Sequence, residues 1–120
     1  MLCFALRWET SMDMKNIPFG TTIWSQIIPT EHQGESGVAH WRTQQFDTIR
    51  VRMVEYSPGY LADHWCSKGH VIYCIEGSMI TALEDGSQHL LSVGMTYHVG
   101  DNCEAHRSSS AGGCRLLIVD

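Results

Sequence analysis

The sequence predicts an all-β fold, one small domain of about eight or nine short strands closed into a sandwich or barrel. Three observations carry that expectation. Turn-forming residues recur roughly every 8–12 residues from Val38 onward, the spacing of antiparallel sandwiches and barrels. No stretch holds a sustained 3.6-residue apolar period, so no amphipathic helix is expected. The 120 residues fit one core and leave no room for a second.

The elements follow in chain order. Met1 to Glu9 is apolar for only six residues before Arg7 interrupts it, and Met12 and Met14 are alternative starts. Residues 1–14 are therefore read as an extension outside the fold, and residues 15–120 as the domain. Residues 15–37 carry Pro18, Gly20, Pro29, Gly34 and Gly37 between short apolar pieces, which reads as an N-terminal arm packed over a sheet. Val38 to Phe46 is the first strand and Thr48 to Tyr56 the second. In the latter, Ile49, Val51 and Met53 alternate with Arg50 and Arg52, the period-2 mark of a half-buried strand.

Val71 to Glu76 is apolar at nearly every position, as in a strand buried on both faces. Ser78 to Leu83 continues after Gly77. Glu84-Asp85-Gly86-Ser87 is a hairpin turn leading to Gln88 to Ser92. Met95 to Val99 lies between Gly94 and the turn Gly100-Asp101-Asn102. Glu104 to Ser109 and Arg115 to Val119 complete the set, with Gly112-Gly113 between them.

Composition narrows the function. A hydrophobic content of 43% and a charged content of 18% are those of an ordinary globular chain. The formal charge of −5, with eight Lys plus Arg, leaves no basic stripe for a nucleic acid or an anionic membrane surface. No apolar run approaches the roughly 20 residues of a membrane span. With no export signal evident, a cytoplasmic chain is expected. The five cysteines are odd in number and irregular in spacing, so reduced thiols are expected rather than a disulfide framework.

Two clusters carry chemistry. In Asp63-His64-Trp65-Cys66-Ser67-Lys68-Gly69-His70, an extended backbone puts His64 and Cys66 on one face and Asp63 and Trp65 on the other. A turn over Ser67 to Gly69 then returns His70 on the following strand, so His64, Cys66 and His70 can converge. The second cluster is Glu104-Ala105-His106.

These residues match a family pattern. His64-x-Cys66-x3-His70-x6-Gly77 resembles the first cupin motif, Gly-x5-His-x-His-x3–4-Glu-x6-Gly, and Gly94 through His106 resembles the second, Gly-x5-Pro-x-Gly-x2-His. Within that superfamily the chain is most similar to small bacterial proteins with an Asp-His-Cys-Trp motif, which here reads Asp63-His64-Trp65-Cys66. The departures are specific. Cys66 stands at the second histidine and His70 at the glutamate, and Gly59 lies one residue close. Gly100 replaces the proline and Asn102 the glycine, and His106 comes one residue late.

The resemblance implies a single-domain jelly-roll β-barrel with an N-terminal arm. By position it implies metal ligands at His64, Cys66, His70 and His106. It also implies a homodimer in which residues 15–30 pair against the partner. Three imidazoles and a thiolate suit a divalent transition metal, zinc or iron foremost with nickel or copper also accommodated, better than magnesium or calcium.

Alternatives accompany each residue. Cys66 is otherwise a small buried hydrophobe or a reactive thiol beside an imidazole. Cys74 shares the parity of His70, with core packing the simpler account. His98 is a fifth donor only if it outcompetes Tyr97 and Val99 for the inner face. His32, His40 and His89 read as surface or structural. Glu76 and Glu104 are acid/base candidates against a solvated default. A solvated face or cross-strand ion pair is expected for Arg42, Arg50, Arg52 and Arg107, ahead of a substrate carboxylate. Trp41 and Trp65 read as packing, with Trp65 also placed for a subunit contact. Two functions fit: a metal-dependent enzyme, oxygenase- or isomerase-like, on a small polar molecule, or a non-enzymatic binding or sensing domain with a structural metal.

Overall fold

A computed structural model describes residues 13–120, so the extension read over residues 1–14 lies almost wholly outside the described residues. A 3-10 turn at Trp24–Gln26 precedes nine strands: β1 (Thr30–Gln33), β2 (Val38–Phe46), β3 (Ile49–Tyr56), β4 (Tyr60–Leu61), β5 (His70–Leu83), β6 (Gln88–Ser92), β7 (Thr96–Val99), β8 (His106–Ser110) and β9 (Cys114–Val119). All pair antiparallel, in the order β1-β2-β3-β9-β5-β8-β4, with β6 and β7 also on β5.

β5 belongs to two sheets. Its first half pairs with β7 and β9, its second half with β6 and β8. The change of sheet falls at a bulge between Cys74 and Glu76, the device by which a strand turns a corner. Gly77 follows with φ 74°, and a Cβ there would run into the Gly113 carbonyl oxygen. The strand thus continues through Gly77, as the sequence suggested, and bends there.

The core gathers between the sheets from Val54, Ile72, Met79, Leu91, Leu116 and Ile118, with the thiols of Cys74 and Cys114 among them. Each large aliphatic side chain buried there contributes about 1.5–3 kcal/mol. Cys66, Cys74, Cys103 and Cys114 are free thiols. Among the described residues no helix is long and apolar enough to cross a membrane.

Three expectations are corrected. The arm contains a strand, β1, paired to β2 from Thr30↔Trp41 to Gln33↔Val38. The first half of β5 is buried on one face only, since Val71 is 50% and Tyr73 40% exposed while Ile72 and Cys74 are buried. Most important, β3 turns its arginine face inward. Register decides this: Arg52 pairs opposite Ile118 and Val54 opposite Leu116, both core residues, and a period of two puts Arg50, Arg52 and Val54 on one face. Arg52 is only 6% exposed. The arm lies against β2, where the Arg42 Nε–H donates to the Ile27 carbonyl (3.0 Å) and the Gln44 amide donates to Thr22 Oγ1 (3.3 Å).

Candidate functional site

A cavity of about 240 Å³ opens between the sheets, and His64, Cys66, His70 and His106 all line it. Its walls are built by strapping the β4–β5 loop to the β7–β8 loop. Cys66 and His106 exchange both backbone hydrogen bonds, at 2.8 and 3.0 Å, and directly opposed residues of an antiparallel pair project to one side. The Asn102 N–H donates to the Ser67 carbonyl (2.8 Å), and the Gly69 N–H donates to Asp101 Oδ1 (2.7 Å). This approach needs glycine, because a Cβ at Gly69 would lie 2.5 Å from the Asp101 nitrogen. The two sequence clusters meet because of these bonds.

Sharing a wall is not yet coordination. Among the described residues, no three His, Cys, Asp or Glu side chains gather into a metal-holding group. The His70 and His106 rings lie with their centroids 4.8 Å apart at 70°.

The ring nitrogens are differentiated by their partners. His106 is 2% exposed, and its Nδ1 lies 2.8 Å from the Glu104 carbonyl. A carbonyl only accepts, so Nδ1 carries the hydrogen, and the buried, partnerless Nε2 presents a bare lone pair. His64 Nδ1 sits 2.6 Å from Asp63 Oδ1, leaving its Nε2 free, on a side chain that is 72% exposed. His70 is held the other way round, with Nε2 at 3.2 Å from the Tyr97 hydroxyl. Its Nδ1 is buried without a hydrogen-bond partner, 3.6 Å from Asp120 Oδ2. Cys66 Sγ accepts from the Lys68 N–H at 3.4 Å.

Burial, aided by the adjacent His106 and opposed in part by Asp120, pushes the His70 imidazole down to about 4. Burial likewise pushes the Tyr97 phenol up to about 12. The Asp120 side chain is wholly buried. Burial works against its carboxylate, yet the hydrogen bond from Arg50 and the charge of Arg52 hold it below the usual carboxylate range.

Asp120 and the orienting role of Asp63 were not anticipated from the sequence, and the ion pairs expected of Arg50 and Arg52 form on the inner face rather than in solvent. Arg50 donates to Asp120 through Nε (2.8 Å) and Nη2 (3.1 Å), and Arg52 through Nη2 (2.8 Å). The Arg52 guanidinium carbon stands 4.3 Å from the Trp41 ring centroid, so Trp41 supports a buried cation as well as packing. The signal for the arginines was their shared parity with Val54 and Tyr56.

Other candidates fall away from this cavity. His98 is exposed on β7 and lines a different cavity, with His89 and Glu104. His32 stacks on Trp41 at 3.7 Å, and His40 lies 3.3 Å from Glu31. Cys74 is core. Glu76 pairs with Arg115 at 3.5 Å and Arg42 with Glu55 at 3.4 Å, while Arg107 pairs with Glu35. Trp65 is 41% exposed.

No protein-family model and no curated protein matches the chain. Solved structures do. A predicted oxalate decarboxylase from Thermotoga maritima is 15% identical, with TM-score 0.71 over 83% of this chain and 96% of that one. Ectoine synthase from P. lautus is 17% identical, with TM-score 0.69 over 84% and 76%. An RmlC-like cupin from Shewanella frigidimarina is 15% identical, with TM-score 0.68 over 87% and 91%. At such identities the likeness speaks for architecture alone, and this chain has the jelly-roll β-barrel architecture seen in cupin structures.

Proposed function

We propose that this chain is a metal-dependent cupin enzyme, oxygenase- or isomerase-like, acting on a small polar molecule in the barrel cavity. In this reading His64, Cys66, His70 and His106 hold a divalent transition metal, zinc or iron before nickel or copper. One observation carries it: the buried His106 Nε2 lacks a partner, on a ring whose centroid lies 4.8 Å from that of His70. A buried polar atom left unsatisfied costs about 1–3 kcal/mol, and a metal ion takes up such lone pairs. The Glu104 carbonyl on His106 and the Asp63 carboxylate on His64 are the partners that orient metal-binding imidazoles.

When bound, the ion supplies a Lewis acid or an oxygen-activating centre. The chain's own residues do the rest. Asp63 and the Glu104 carbonyl fix which ring nitrogen is bare. Tyr97 steadies His70, and Arg50, Arg52 and Lys68 give the cavity a cationic wall that attracts polar groups.

A non-enzymatic domain with a structural metal is the competing reading, because four strong ligands fill a tetrahedron. The charged cavity beside the donors favours the enzyme, since a purely structural ion needs no such space. The resemblance to the Asp-His-Cys-Trp group extends the reading to a homodimer formed through the arm.

The test is the metal content of protein purified without added metal. His106→Ala and His64→Ala each remove a donor and are expected to lower it by about tenfold or more, whereas His89→Ala leaves it unaltered. Full occupancy in the His106 variant would overturn the assignment.

A further inference from the structure

We propose that Arg52 is the anchor for a carboxylate group of the cavity's small-molecule ligand, and that Asp120 is a built-in occupant of half of that anchor. This deepens the reading of the cavity as a substrate site by naming the substrate class, a small carboxylic acid.

The argument starts from an unfilled donor. Arg52 is 6% exposed, a depth at which a guanidinium is stable only with its charge paired and its N–H groups bonded. Asp120 meets the charge. It does not complete the bonding, because Arg50 takes both its oxygens through Nε and Nη2. Arg52 reaches Oδ2 with Nη2 alone, and its Nε–H is buried with no acceptor. One carboxylate is shared between two forks, and the Arg52 fork is half empty. A guanidinium matches the two oxygens of a planar carboxylate through paired N–H groups, so a second carboxylate completes it.

The surroundings agree in charge and size. Among the described residues, Arg50, Arg52 and Lys68 line the cavity against a single carboxylate, Asp120, and its volume of about 240 Å³ suits a molecule of a few heavy atoms. The Arg52 guanidinium lies over the Trp41 ring, its carbon 4.3 Å from the centroid, and this stacking keeps the fork in place. His70 Nδ1 lies 3.6 Å from Asp120 Oδ2. A ligand anchored on Arg52 therefore sits beside the imidazoles rather than at a remote surface.

The experiment is calorimetric titration of the full chain with malonate, acetate and inorganic phosphate, with metal content measured on the same samples. Saturable binding of the carboxylates, weaker binding of phosphate and unchanged metal content in the variants are expected. Arg52→Lys keeps the charge and the Asp120 pair but loses the fork, and is expected to weaken carboxylate binding by about tenfold or more. Asp120→Asn removes the competitor and is expected to strengthen it. Should Asp120→Asn lose stability, its melting temperature is expected to rise on adding malonate by more than that of the unaltered protein. Arg52→Lys binding carboxylates as tightly as the unaltered chain, or phosphate binding more tightly than either carboxylate, would overturn the inference. Carboxylate binding that persists in protein without metal leaves this seat standing and removes the metal reading. Metal without carboxylate binding does the reverse.

Discussion

At the scale of single residues, His70 shows how position sets protonation. Its native imidazole takes up a proton near 4, against 6.5 when free. Between those values the unfolded chain binds more protons than the folded one, so stability rises with pH there. The share that comes from keeping His70 neutral is complete above about pH 6.5 and is lost as pH falls toward 4. A melting-temperature series from pH 7 to 4 on chelator-treated protein should therefore slope downward in acid, and His70→Asn should flatten that slope. Equal slopes would mean that His70 is not buried neutral.

The same scale shows what was legible in the chain. That His64, Cys66, His70 and His106 share one cavity wall was readable because spacing and backbone parity do not depend on packing. Arg50 and Arg52 were misread because Ile49, Val51 and Met53 offered an equally good apolar face. Only pairing of Arg52 with Ile118 and Val54 with Leu116 decides which face is inner. Asp120 gave no local signal, since its partners lie 68 and 70 residues away.

At the scale of elements, turn chemistry located most strands. Asp85 caps its hairpin by accepting from the Ser87 N–H at 2.8 Å, as a turn former does. β1 was missed because Thr30-Glu31-His32-Gln33 is polar and largely exposed, which leaves no periodic pattern. β4, two residues long, is too short to have one. The continuation of the strand past Gly77 was readable, whereas the bend there was not, because only the register across the bulge reveals it.

A pair of substitutions separates strain from collision at that bend. Gly77 and Gly86 both have positive φ, 74° and 90°. Gly86 faces open space, whereas a Cβ at Gly77 meets the backbone of Gly113 and Cys114. Gly86→Ala is expected to cost about 1 kcal/mol, and Gly77→Ala about 2–4 kcal/mol. Denaturant melts of the two variants measure the difference, and equal costs would remove the role given to Gly77 at the sheet corner.

At the scale of the whole molecule, the arm presents Phe19 at 98% and Ile28 at 87% exposure. Apolar side chains left so open on a segment packed against β2 fit the proposed contact with a second copy. Light scattering of the full chain is expected to give a dimer mass, and Phe19→Ser with Ile28→Ser to shift it toward the monomer. A monomeric starting protein, or an unchanged dimer in the double variant, would contradict that assembly.

The barrel itself is common to proteins of different chemistry, so fold alone does not name a reaction. What distinguishes this chain is the donor set on the cavity wall, and the most direct test of it is X-ray absorption at the metal edge of the full chain purified without added metal. The account predicts a first shell of nitrogen donors with one sulfur, and the loss of that sulfur in Cys66→Ser. A shell of oxygen alone, or sulfur persisting in Cys66→Ser, would contradict it.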